Sequence, residues 1–337
     1  MRRRVLWIAG AVILGIALFA STTLNDSGIA IAQEPTCLPV EHTSTPAPDE
    51  SVAATTPSSG GISVCQTHRE TYTDRWGIQR IGAPASWEGT HFHPVLVAVL
   101  DTGITSDSLF ADRVVAGIDL TGSGTTADEH GHGTHMADTI AAIAPNARFL
   151  NVKVADRRGR CDTTTVAQGI RWATDRGALI INISLEVSPS PELASAVNYA
   201  WEHGAVIVAA AGNGGTSEPA YPAAYPQTIA VAGIDESDEL AVLSNYGDWV
   251  DIAAPGFKIL AKIPGGELGY ETGTSPAAAH VSGVAALLLG VATDDTGHGV
   301  LNDDVRSTLE STANTLPIIG SGKGMVDAHA AVLSLTA

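Results

Sequence analysis

Short, nearly uninterrupted apolar runs alternate with amphipathic stretches through most of the chain. Residues 95–100, 147–154, 179–183, 206–210 and 228–232 are dominated by Val, Ile, Leu and Ala, which predicts strands buried on both faces. Helices are predicted at 134–143, 163–174, 191–201, 276–289 and 303–311. Apolar strands separated by helices imply an α/β fold, a mostly parallel sheet with helices on both faces. In such sheets ligands gather beyond the carboxyl ends of the strands, where Asp101 and Asn213 fall.

The N-terminal pattern is different. Arg2, Arg3 and Arg4 precede an apolar run over residues 5–20, and Ala30-Ile31-Ala32 has the small residues of a cleavage site. This predicts a signal peptide over residues 1–32. The alternative is an uncleaved anchor, because the apolar segment is nearly long enough to span a bilayer. Either reading places the chain outside the cytoplasm, secreted or membrane-anchored, and no second apolar run of spanning length is expected downstream. Residues 33–71 are rich in Thr, Ser and Pro and are expected to form an arm or linker, since such a composition buries no core. The chain of 337 residues then leaves 72–337 for one large α/β domain.

Removing residues 1–32 takes away three Arg and one Asp, which moves the formal charge from −18 to −20. So acidic a chain is not expected to bind nucleic acid or an anionic membrane surface. The cysteines are Cys37, Cys65 and Cys161. Export favours one disulfide with one thiol left over, and Cys37–Cys65, Cys65–Cys161 and Cys37–Cys161 all remain open.

The candidate chemistry centres on Gly273-Thr274-Ser275-Pro276, a turn running into an apolar helix. Ser275 suits a helix cap, and Pro276 suits a first helical turn. A Ser at a helix start also brings a nucleophile and an N–H for a developing oxyanion to one place. A nucleophilic Ser needs a base and a group that orients the base. Val97-Ala98-Val99-Leu100-Asp101-Thr102-Gly103 ends an apolar strand on a carboxylate. His130-Gly131-His132-Gly133-Thr134-His135 opens a helix, and Ala209-Ala210-Ala211-Gly212-Asn213 ends another strand.

In the order Asp, His, Asn, Ser, these blocks resemble the signatures of the subtilisin-like serine proteases, from about Tyr72 to the C-terminus. The resemblance implies the subtilisin-like three-layer fold and a serine endopeptidase acting through an acyl-enzyme. It implies Asp101, His132 and Ser275 as catalytic residues and Asn213 as oxyanion donor. Ser184, Leu185, Glu186 and Gly212 would contact the substrate backbone, with Glu186 standing where the family usually has Gly. His135 and His280 would be structural. Pro276 and Ala279 depart from the family, which usually has Met and Pro there, yet remove no catalytic group. The segment between the His-bearing helix and the next strand, Ala144-Pro145-Asn146, is too short for the family's strong calcium loop, so no cofactor and no metal are expected. The expected partner is a protein or peptide substrate, met by a monomer. Two other readings of these residues stand beside this one. One is an inactive, protease-shaped peptide binder. The other is a zinc hydrolase built on Asp128, His130, His132 and His135, for which imidazole ligands are the right chemistry.

Overall fold

The computed structural model describes residues 62–63, 72, 74–105, 111–291 and 302–336. The expected signal peptide, most of the arm, and Cys37 and Cys65 lie outside these residues. Among the described residues Cys161 is a free, half-buried thiol, and burial pushes its pKa up to about 11.

Strands β1 (Ile62–Ser63) and β2 (His91–Phe92) pair antiparallel, which brings two residues of the arm onto the catalytic domain. Helices α1 (Trp76–Arg80) and α2 (Ala83–Ser86) lie between them in sequence. The central sheet then begins with β3 (Val95–Asp101) and β4 (Val114–Asp119). It continues through β5 (Ala147–Lys153), β6 (Ile180–Ile183), β7 (Val206–Ala210), β8 (Thr228–Ile234) and β9 (Ile252–Pro255). These seven strands are parallel, in the order β4-β5-β3-β6-β7-β8-β9. The chain leaves β3 for the edge strand β4, returns through β5, and then crosses to β6 on the other side. The carboxyl end of β3 is therefore a switch point of the sheet, and Asp101 sits on it.

Period-2 alternation sorts each strand between two cores. Val97 and Val99 of β3, with Val206 and Val208 of β7, pack under α3 (His132–Ile143) and α6 (Thr274–Val291). Ala98, Leu100, Ile207 and Ala209 face the opposite side, under α4 (Thr163–Thr174) and α5 (Pro191–Glu202). Both faces are covered, which is why the strands read as continuous apolar runs. Helices α7 (Asn302–Ser311) and α8 (Ala328–Thr336) complete the described chain.

All five predicted strands form, with β8 running two residues further than expected. Sequence reading missed β4, a half-exposed edge strand with a bulge after Val114, and β9, only four residues long and ending at Pro255. It also missed the antiparallel hairpin of β10 (Ile259–Lys262) and β11 (Leu268–Glu271), where β11 alternates exposed and half-buried residues. The expectation of no second run of spanning length is corrected. α6 has 18 residues with a mean hydropathy of 1.4, but 89% of that window is buried in the domain. It is apolar all round because protein surrounds it.

Candidate active site

Asp101, the last residue of β3, is fully buried. Its Oδ1 accepts from the Thr102 N–H at 2.7 Å and lies 2.7 Å from His132 Nδ1. His132 is the first residue of α3, and the close approach of that helix to the β3 loop depends on Gly133. A Cβ there would fall 2.2 Å from the Gly103 carbonyl and 3.1 Å from Asp101 Cβ. Asp128 fixes the turn that carries His132. Its carboxylate accepts from the N–H groups of His130, Gly131 and Thr134 and from the hydroxyls of Thr102 and Thr134, all within 2.7–3.0 Å. Burial raises the Asp128 pKa, but these donors outweigh it and hold the carboxyl below its usual value.

Ser275 lies in the first turn of α6, which starts at Thr274, one residue before the expected join. The cap comes from another segment. Asn213 Oδ1 accepts from the Thr274 N–H at 2.9 Å and from the Thr274 hydroxyl at 3.1 Å, and that hydroxyl accepts from the Gly212 N–H at 3.0 Å. Gly273 lets Asn213 approach, since a Cβ there would sit 3.0 Å from Oδ1. The end of β6 is tied to the same turn. The Ser184 hydroxyl donates to the Ser275 carbonyl at 3.1 Å, and the Ser275 hydroxyl donates to the Ser184 carbonyl at 3.2 Å.

These elements enclose an open cavity lined by Ser184, Leu185, Glu186, Gly212, Asn213 and Thr274. The expected substrate-binding residues thus come together. Glu186 is exposed, and its Oε2 packs toward Gly212, 3.0 Å from where a Cβ would be. A second cavity is lined by His130, His132, Tyr270 and Glu271 among others.

The ring of His132 has two carboxylate partners. Nδ1 faces Asp101, and Nε2 lies 3.2 Å from Glu271 Oε1. Burial lowers the His132 pKa, but Asp101 and then Glu271 raise it more, leaving it well above the usual histidine value. Glu271 closes β11 and is 27% exposed. No sequence signal distinguished it from a solvated carboxylate at a strand end. Asp128 is a clamp on the turn before α3 and not the metal ligand that the His cluster suggested, and an acid just before a helix start is itself a capping signal.

The three histidines do not converge on a common point. His135 Nε2 is 3.0 Å from the Ile259 carbonyl, both nitrogens of His132 face carboxylates, and His130 stands edge-on to His132 with ring centroids 6.3 Å apart. Among the described residues no group of three or more His, Cys, Asp or Glu is arranged to hold a metal ion. His280 is buried with Nδ1 2.7 Å from the Pro276 carbonyl, and burial pushes its pKa down to about 4.

Residues 93–329 match the Subtilase family. Thermitase from Thermoactinomyces vulgaris is 39% identical over 273 residues, covering 77% of this chain and 95% of that protein. The chain belongs to the subtilase family. It is a serine-type endopeptidase, and the zinc-hydrolase reading finds no metal-holding group among the described residues. Subtilisin BL from Lederbergia lenta is 39% identical over 268 residues, covering 76% of this chain and 97% of its own. A solved protease structure from Pseudoalteromonas arctica superposes with a TM-score of 0.70 at 28% identity, covering 78% of this chain and 98% of that one. The three-layer α/β fold agrees with this membership.

Proposed function

We propose that this subtilase cleaves peptide bonds with Ser275 as nucleophile, His132 as general base and Asp101 as the group that orients the base. The observation that carries the reading is the 2.7 Å contact between buried Asp101 Oδ1 and His132 Nδ1 at the carboxyl end of β3. It fixes a proton on Nδ1 and leaves Nε2 for the proton of Ser275. Ser275 Oγ attacks the substrate carbonyl while His132 takes its proton, and His132 then returns that proton to the leaving amine as the C–N bond breaks. Water repeats the sequence on the acyl-enzyme. Asn213 supports the oxyanion, because Thr274 holds its carbonyl oxygen and its amide N–H groups donate to nothing else among the described residues.

The substrate is an extended protein or peptide segment laid along Ser184–Glu186, met by a monomer that binds no nucleic acid. The N-terminal pattern supports action outside the cell after export through residues 1–32, with membrane attachment only where that segment stays on the chain. The connection from α3 to β5 is only Ala144, Pro145 and Asn146, which supports the reading that the family's strong calcium loop is missing here. Pro145 and Asn146, which occupy the short connection, are used structurally. The Pro145 carbonyl accepts from Arg113, and the Asn146 amide donates to the carbonyls of His93 and Ala286.

The test is labelling of the exported chain with a fluorophosphonate, mapped by mass spectrometry. Modification of Ser275, lost together with peptide hydrolysis in Ser275→Ala, is the expected result. Hydrolysis that survives in a folded Ser275→Ala protein would refute the assignment.

A further inference from the structure

We propose that Glu271 is a resting-state latch on His132, holding the imidazole between two carboxylates until the pH or an incoming substrate releases it. The proposal rests on His132 being the base, and it begins from hydrogen-bond counting. Ionised carboxylates only accept. Asp101 Oδ1 is 2.7 Å from Nδ1, and Glu271 Oε1 is 3.2 Å from Nε2. A neutral imidazole has one N–H and satisfies one of these partners, whereas an imidazolium satisfies both. An imidazolium is a spent base, because the lone pair that must receive the Ser275 proton already holds one. The Ser275 hydroxyl is correspondingly engaged elsewhere, donating to the Ser184 carbonyl at 3.2 Å. Each half of the proton-transfer pair therefore rests on another partner.

The surroundings of Glu271 favour this arrangement. His135, one turn along α3, has Nε2 on the Ile259 carbonyl, while its Nδ1 is buried without a hydrogen bond, 3.6 Å from Glu271 Oε2. Burial holds His135 below the usual histidine pKa, and the group that most lowers the Glu271 pKa is His132, ahead of His135. Burial raises the Glu271 pKa, but its contact with His132 outweighs this and keeps the carboxyl below its usual value. The other charged groups near the ring are Asp101 from β3, which acts in the same direction, and His130, Asp128 and Glu129 from the turn before α3. Asp128 is saturated by its own donors. Among the described residues Glu271 is thus the one carboxylate in contact with the reacting nitrogen.

The latch sets the pH at which the enzyme switches on. Activity needs neutral His132, so a raised pKa moves the acid limb of the pH profile upward, and loss of Glu271 moves it back down. The experiment measures the second-order rate of fluorophosphonate labelling at Ser275 against pH, for the full chain and its Glu271→Gln and Glu271→Leu variants. The midpoint of the acid limb should fall by about one pH unit or more in both variants, as expected for removing a charge in contact with the ring. At a pH below both midpoints this is roughly a tenfold faster reaction. A purely structural role for Glu271 would lower the plateau and leave the midpoint in place, and that result overturns the latch. Absence of Ser275 labelling in the wild type at every pH would instead overturn the triad beneath it. Should neither variant fold, NMR titration of His132 in the wild type decides. A midpoint above the ordinary histidine value of about 6.5, with both ring N–H protons hydrogen-bonded below it, supports the latch, and a midpoint at or below that value overturns it.

Discussion

Two carboxylates touch the same imidazole from regions built on different terms. Asp101 stands in the corner between β3 and α3, fully buried, with Thr102 and Asp128 binding the turn on either side. Glu271 stands at the end of a two-stranded hairpin, 27% exposed, next to Tyr270 at 72% and near Leu268 at 55%. In the corner Asp101 Oδ1 holds the Thr102 N–H and the His132 ring, while Oδ2 is buried without a partner, so motion of Asp101 would orphan further buried groups and leave the charge no water to turn to. The hairpin borders an open cavity and can shift its carboxylate into water at small cost. The same chemical group is a fixed orienter in one place and a releasable partner in the other. What separates them is burial: Asp101 is fully buried, whereas Glu271 is 27% exposed beside an open cavity.

Asp101→Asn should break the comparison most deeply. An Asn amide donating to Nδ1 would leave the proton on Nε2 and remove the charge that stabilises the imidazolium. The expected loss is about 10⁴ in kcat, the size seen for the equivalent change in another serine protease. Measured kcat for Asp101→Asn and Glu271→Gln at one alkaline pH tests this directly. Comparable losses in the two would erase the distinction between the corner and the hairpin.

The next effect lies in stability. Asp128→Ala removes five donor–acceptor contacts from the turn and leaves buried N–H groups without partners, a loss of about 2–3 kcal/mol. The melting temperature should drop by several degrees near neutral pH. The sign of its pH dependence is fixed by the depressed pKa. The ionised carboxyl contributes fully above its unfolded value of 3.8 and loses that contribution as pH falls through the lower folded value. The gap in melting temperature between wild type and variant should therefore narrow below pH 3.8. A gap that stays constant into the acid range would mean that Asp128 does not hold the turn through its charge.

The smallest effect belongs to Glu186, a third carboxylate, exposed and lining the groove beside Gly212. It should favour Lys or Arg in a nearby substrate position and disfavour Asp or Glu, by about 0.2–1 kcal/mol and less at high salt. Profiling a peptide library with wild type and Glu186→Gly at two ionic strengths measures this preference. Indistinguishable profiles would leave Glu186 a solvated surface charge.

The sequence by itself determined the parallel sheet and the residues most directly implicated in the chemistry. Strands buried on both faces must be apolar throughout; Asp101 ends one, Asn213 follows another, and His132 and Ser275 open helices, so pattern and motif point to the same edge. Short or half-exposed elements were not legible, because β4, β9 and the β10–β11 hairpin owe their pairing to neighbours distant in sequence. Only the tertiary structure decided which partners the site residues take. Asn213, 61 positions before Thr274, became the cap of α6, and Asp128 became the clamp on the His132 turn. Glu271 reached His132 Nε2 only because a hairpin folds back over α3. A carboxylate at a strand end carries no local mark of the imidazole it will meet, since that contact depends on packing between segments more than a hundred residues apart.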